Sequence, residues 1–199
     1  DMQACCTRYF VTLNPYDKSW RRMLPLEHDW FTHLLRRGCD LSPGSTLMAR
    51  RSIFEELGLF DETLQRYEDW DWLLRYARRF KIGITQETLA VVHLSHPPVS
   101  GILADAIKVF LPRWIEEARK LGYFTGRRFK ARLLLELAKS QILEHKRIVG
   151  CVTLLRGLCQ WPFQRPGSAL ALIQYLKGNF ESPHAVRVES TNEVPPRNN

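Results

Sequence analysis

The chain is short of several things. It has no apolar run long enough to cross a bilayer: the longest uncharged apolar stretch of its second half, residues 148–155, falls far below the ~20 residues that a spanning helix needs. It has no C-x-x-C pair. Its five cysteines, Cys5, Cys6, Cys39, Cys151 and Cys159, are odd in number and lack metal or redox spacing. They read as reduced, buried thiols of a cytoplasmic protein rather than a disulfide framework. It has no helix-turn-helix, aromatic RNA-binding strand or zinc pattern, so nucleic acid is not an expected partner. The opening DMQACC has neither a basic start with an apolar core nor an initiator Met, and the expectation is a fragment that begins inside a domain. No internal repeat is visible.

The 199 residues suffice for one or two domains, and the 45% hydrophobic content is ordinary for a globular chain. The net charge of +8 is unevenly placed. Residues 1–100 carry 13 Lys+Arg against 13 Asp+Glu, residues 101–180 carry 14 against 5, and residues 181–199 carry 2 against 3. The basic character therefore belongs to residues 101–180. Such a surface suits something anionic, such as phospholipid headgroups or a lipid-diphosphate acceptor, or else it is a set of solvated helix faces.

Residues 38–71, GCDLSPGSTLMARRSIFEELGLFDETLQRYEDWD, organise the rest. Ser42-Pro43-Gly44 is a turn, and residues 45–49 read as a short strand. Ser52 with Glu55 three residues on has the capping-box spacing at the start of a brief helix. Gly58 suits the left-handed residue past that helix. The carboxylates Glu68, Asp69 and Asp71 open a second helix, in which Trp70, Leu73, Leu74 and Ala77 fall at i, i+3, i+4 and i+7 and form one apolar stripe. Taken alone, acids at that end complement the helix dipole.

On either side, residues 4–13 read as a strand and residues 14–17 as a turn. A helix follows Pro25, with Trp30, Leu34 and Leu35 on one face, and Gly38 ends it. His28 and His33 have no partner at ligand spacing and read as surface or satisfied histidines. Residues 82–92 form a strand that runs into His93-Leu94-Ser95-His96-Pro97-Pro98. From Gly101 the pattern is helical. Pro112 interrupts the first stripe and predicts a kink or two short helices. Gly122 and Gly126 mark a break, helices follow over 129–145, 148–158 and 168–176, and the polar residues 181–199 read as a disordered tail.

The ordered series Arg51, Phe54, Glu55, Gly58, Phe60, Asp61, Glu62, then Glu68-Asp69-Trp70-Asp71, resembles the second half of the catalytic domain of family 2 glycosyltransferases, which have the GT-A fold. The resemblance covers about residues 4–100, with weaker echoes to residue 178. It implies an α/β chain, with residues 1–100 as the acceptor-side half of a truncated GT-A sheet. Residues 101–180 would be a basic amphipathic helical region and 181–199 a tail. The implied activity is inverting transfer of a sugar from a nucleotide-diphospho-sugar to a hydroxyl of a glycan or lipid-linked acceptor, as in polysaccharide assembly. The implied location is cytoplasmic, or peripheral on the inner face of the cell membrane.

The resemblance also assigns roles. Asp69 matches the second residue of the family's E-D pair and is expected to be the general base. Glu68 is expected to support it or bind acceptor hydroxyls. Gly44 and Ser45 begin the strand where the family brings backbone near the donor sugar. Trp70 and Asp71 are candidate sugar contacts, Asp71 alternatively a helix cap or loop holder. His96, with Ser100 after it, matches a family position that completes a divalent metal site, Mg or Mn, or contacts the diphosphate; His93 is the alternative. The main metal ligands are expected in a nucleotide-binding half ahead of Asp1, without which this chain should bind nucleotide sugars poorly. Asp69-Trp70-Asp71 also spells D-x-D, the family's metal motif. That motif follows a strand in the nucleotide-binding half, so the present cluster reads as the base. The alternative is a non-catalytic basic module that binds a membrane surface or nucleic acid. It explains the charge asymmetry but not the ordered series.

Overall fold

The structure, a computed structural model, describes residues 3–13, 18–22, 24, 29–94 and 98–162. The run of β-branched and aromatic residues near the start forms β1 (Ala4–Leu13), as its composition predicts. β1 is the centre of a four-stranded mixed sheet. Along one edge it pairs in parallel with β4 (Ile82–Leu94). The other edge is shared: β3 (Leu47–Ala49) lies antiparallel to residues 4–6, and β2 (Lys18–Arg22) antiparallel to residues 9–13. The β1–β4 register shifts between Thr7 and Tyr9. There the Thr7 hydroxyl donates to the Glu87 carbonyl at 2.8 Å and accepts from the Leu89 N–H at 3.2 Å, which satisfies backbone groups that the bulge takes out of the ladder.

A parallel pair needs a crossover, and it contains four helices. α1 (Trp30–Arg37) is capped by Asp29, which accepts from the Thr32 N–H at 2.9 Å, and it stops at Gly38. α2 (Pro43–Thr46) is one turn and takes the first half of the expected strand, so only residues 47–49 pair with β1. α3 (Arg51–Leu57) starts two residues earlier than the capping box requires, with no side-chain cap. The Arg50 N–H donates to the Gln3 carbonyl at 2.9 Å, so sheet pairing runs up to the helix and Ser52 falls inside its first turn. Gly58, at φ 81°, ends α3 as expected. α4 (Glu68–Ala77) follows the loop over residues 58–67.

Three long helices complete the described chain. α5 (Ser100–Lys120) passes through Pro112 as one helix rather than two; Phe110 and Trp114, buried on either side, hold it in the core. α6 (Tyr123–Leu143) absorbs Gly126, expected as a break. A Cβ at Gly126 would lie 2.7 Å from Arg119 Cγ, so glycine here lets α5 and α6 approach closely. α7 (Arg147–Gln160) packs back along α6.

One core joins the halves: Cys6, Leu34, Trp72 and Tyr76 share it with Leu103, Phe110, Phe129 and Leu133. The boundary expected at residue 100 is therefore not a boundary of the core, because α5 and α6 cover the crossover helices. A smaller cluster, Leu135, Ala138, Ile142 and Leu154, ties α6 to α7. The class is mixed α/β, as expected at that coarse level. Cys6 is buried and its neighbour Cys5 half-buried, and all five thiols are free. Among the described residues no helix is long and apolar enough to cross a membrane. The expected turn at 14–17, the helix at 168–176, the tail at 181–199, and His28 and His96 lie outside the described residues.

Candidate active site

The carboxylates sit where the sequence puts them, in the first turn of α4. Trp70, Leu73 and Leu74 are buried as one stripe. The Trp70 ring lies 4.9 Å from Phe110 and 5.6 Å from Phe129, centroid to centroid. Trp72 stacks on Phe54 at 4.7 Å and donates its indole N–H to the Gly58 carbonyl at 3.0 Å. The helix start is thus anchored by aromatic contacts on two sides.

The residue before it is strained. Tyr67 has φ 68° and ψ 8°, the left-handed region that bulky residues avoid, at a cost of ~1–3 kcal/mol. Its surroundings hold it there. The buried Tyr67 hydroxyl donates to Glu136 Oε2 at 3.0 Å, and Arg66 Nη2 lies 3.6 Å from the other oxygen of Glu136. The Tyr67 carbonyl accepts from the Asp71 N–H at 2.8 Å.

Asp69 is partly buried, and its Oδ1 accepts from the Trp70 N–H at 2.7 Å. Burial, and then the neighbouring charge of Glu68, push its carboxyl above the ordinary aspartate value. No cation among the described residues pairs with it at ion-pair distance. Glu68 Oε2 is buried with no hydrogen-bond partner, and so is the Trp70 indole nitrogen. Cys39 lies close enough that, after burial, the Asp69 charge is the next cause raising its thiol. The loop carrying Cys39 is braced from three sides. The Tyr9 hydroxyl donates to the Asp40 carbonyl at 2.7 Å, Arg22 Nη2 meets Asp40 Oδ2 at 3.1 Å, and His33 Nε2 meets Asp40 Oδ1 at 3.2 Å. His33 is thereby a satisfied buried histidine, one of the two options its sequence context left open.

Asp71 has a different environment. It is fully buried, and both its oxygens are occupied. Oδ1 accepts from Arg113 Nη1 at 2.9 Å and Trp114 Nε1 at 2.8 Å, and Oδ2 from Arg75 Nε at 3.0 Å. Arg113 reaches on to Asp61 Oδ2 at 2.7 Å, and Arg75 to the Leu57 and Leu59 carbonyls. The expected sugar contacts from Trp70 and Asp71 are corrected: Trp70 is core, and Asp71 is the node that ties α3, the following loop, α4 and α5 together. Two residues apart on a helix are ~200° apart, so Asp69 and Asp71 do not face one ion, and the D-x-D spelling is not a chelate.

The other candidates scatter. Gly44 and Ser45 are exposed in α2, and a Cβ at Gly44 would meet nothing within 4 Å. No close approach within the chain requires glycine there. His93 is exposed and its Nδ1 lies 2.6 Å from Thr12 Oγ1. Ser100 starts α5 and donates to Glu144 Oε2 at 2.6 Å. Among the described residues no three His, Cys, Asp or Glu side chains converge so as to hold a metal ion. Sequence reasoning missed Arg113 and Trp114, seen only as members of an amphipathic basic helix, and the Tyr67–Glu136 contact, for which no local signal exists.

No family model matches the chain, and no curated protein or solved structure matches it either. The class the fold defines is a mixed α/β protein with one acidic helix start seated on an aromatic core.

Proposed function

We propose that the chain is the acceptor side of an inverting glycosyltransferase, with Asp69 as general base. The observation that carries this reading is the pair Glu68–Asp69. One member has its proton affinity raised by burial and by its neighbour, and the other keeps a buried oxygen without a partner. A carboxylate so placed draws a proton from an attacking hydroxyl more strongly than a solvated one does, and such catalysis typically contributes a factor of ~10²–10⁴. Glu68 accepts a hydrogen bond from a neighbouring hydroxyl of the same sugar, and so orients it. The donor is a nucleotide-diphospho-sugar, whose nucleoside diphosphate departs as the acceptor oxygen attacks.

The test is sugar transfer by the complete enzyme carrying this chain, assayed with a panel of nucleotide-diphospho-sugars. Asp69→Asn is expected to lower turnover by ~10²–10⁴ with the fold unchanged by circular dichroism. Turnover within a few-fold of wild type overturns the assignment.

A further inference from the structure

α7 leaves a second apolar stripe uncovered. Its narrow residues face α6. A Cβ at Gly150 would fall 2.5 Å from Ile142 Cγ1, and one at Gly157 3.1 Å from Leu135 Cδ2. Leu154 is buried against α6, but three other large aliphatic residues point away from the protein: Ile148 is 81% exposed, Leu155 61% and Val152 42%. At ~100° per residue these three fall on one stripe.

The neighbouring helix continues the face. Tyr123, Arg127, Lys130 and Leu134 recur at i, i+4, i+7 and i+11 and so share one side of α6. Lys130 and Leu134 meet Val152, Leu155 and Arg156 across an open groove of about 590 Å³. At one end Tyr123 and Phe124 are exposed, Phe124 lies 5.5 Å from the Trp161 ring, and Arg127 and Arg128 sit over Tyr123 and Trp161. Residues 145–160 contain Lys146, Arg147 and Arg156 and no acid. Amphipathic aromatic rings beside arginines suit a membrane interface.

We propose that this α6–α7 face docks on an anionic lipid surface. Ile148, Val152 and Leu155 enter the boundary between headgroups and acyl chains, while Lys130, Arg147 and Arg156 lie at the lipid phosphates. Charge selects this occupant over a second copy of the chain. A symmetric pair presents the same patch from both sides, which would set these cations against their own copies with no carboxylate on α7 to pair them. The inference stands apart from the proposed glycosyl transfer, since no residue of the α4 site takes part.

Flotation of the full chain with phosphatidylcholine vesicles, with and without phosphatidylserine, tests it. The chain is expected to float with the anionic vesicles and to be released by salt. An Ile148→Ser/Leu155→Ser variant alters exposed positions and should keep its circular dichroism; it is expected to bind at least tenfold more weakly. Arg147→Gln and Arg156→Gln are each expected to weaken binding about fivefold, on anionic vesicles only. Failure to float with phosphatidylserine vesicles overturns the proposal, as does equal binding by the Ile148→Ser/Leu155→Ser variant. If light scattering instead finds a dimer that this variant dissolves, and the wild type ignores vesicles, the face is an interface between copies and the membrane proposal falls.

Discussion

Arg113→Met tests how the carboxylate cluster is held. The substitution keeps the stem and removes the guanidinium that joins buried Asp71 at 2.9 Å to Asp61 at 2.7 Å. Breaking a buried pair from one side costs about 3–5 kcal/mol. Asp71 keeps Arg75 and Trp114, so a loss of about 2 kcal/mol is expected there. The Asp61 carboxyl is held down at about 2, first by the Thr63 hydroxyl and then by Arg113. The Thr63 share survives, and solvent screens a partly exposed pair, so this arm adds about 1 kcal/mol. The total of about 3 kcal/mol corresponds to a Tm about 6–12 °C lower for a domain of this size. The sign of the pH effect follows from the lowered Asp61 value. Its contribution is complete above the unfolded value of 3.8 and is lost as pH falls through about 2. The gap between wild type and variant should therefore narrow below pH ~4. Thermal denaturation across pH measures both effects. A change under about 1 kcal/mol at neutral pH would refute the reasoning, because it would mean that Arg75 and Trp114 alone neutralise Asp71.

Asp69→Asn should raise the Tm at neutral pH while abolishing transfer. The fold raises the proton affinity of Asp69, so its ionised form costs stability above that raised value, and the advantage of Asn should vanish on acidification towards the unfolded value; a neutral-pH variant less stable than wild type contradicts the burial of this charge. Gly38→Ala is expected to cost about 1–3 kcal/mol by urea denaturation, because φ 90° with ψ 178° is a glycine conformation. Gly44→Ala, in α2 with open space around it, should instead be neutral or stabilising by up to ~1 kcal/mol; a large activity loss in a stable Gly44→Ala enzyme would mean that a substrate approaches there. In iodoacetamide labelling read by mass spectrometry, exposed Cys159 should react first and Cys6 and Cys39 last, since burial pushes the Cys6 thiol up to about 12 and the Cys39 thiol well above its usual value; early labelling of Cys6 would refute its burial.

Much of the fold was legible wherever one local signal sufficed. β1 is a run of strand formers, α1 has Trp30, Leu34 and Leu35 on one face and Gly38 after it, and α4 has a stripe of period 3.6. The misses have a common cause, a contact made far along the chain. Ser52 loses its cap role because Arg50 bonds back to Gln3. Gly126 is no helix break because α5 needs room beside it. The outward face of α7 was hidden for the same reason. Its apolar residues wrap most of the helix, and the inner side is marked by the glycines packed on Ile142 and Leu135 and by buried Leu154.

The candidate site shows the same division within four residues. Measured from Trp70 at ~100° per residue, Leu73, Leu74 and Ala77 lie within ~60° of the stripe's centre, while Asp69 and Asp71 lie ~100° to either side of it. By helix phase alone the two aspartates are mirror images, and each borders the core. What separates them arrives some forty residues later. α5 comes down on the Asp71 flank, and Arg113 and Trp114 consume that carboxylate. The Asp69 flank instead meets the loop of Cys39, with Glu68 as its charged neighbour. The sequence pattern E-D-W-D therefore names two possible acids, and the packing of α5 selects between them. It makes Asp71 a strut and leaves Asp69 without an ion-pair partner among the described residues.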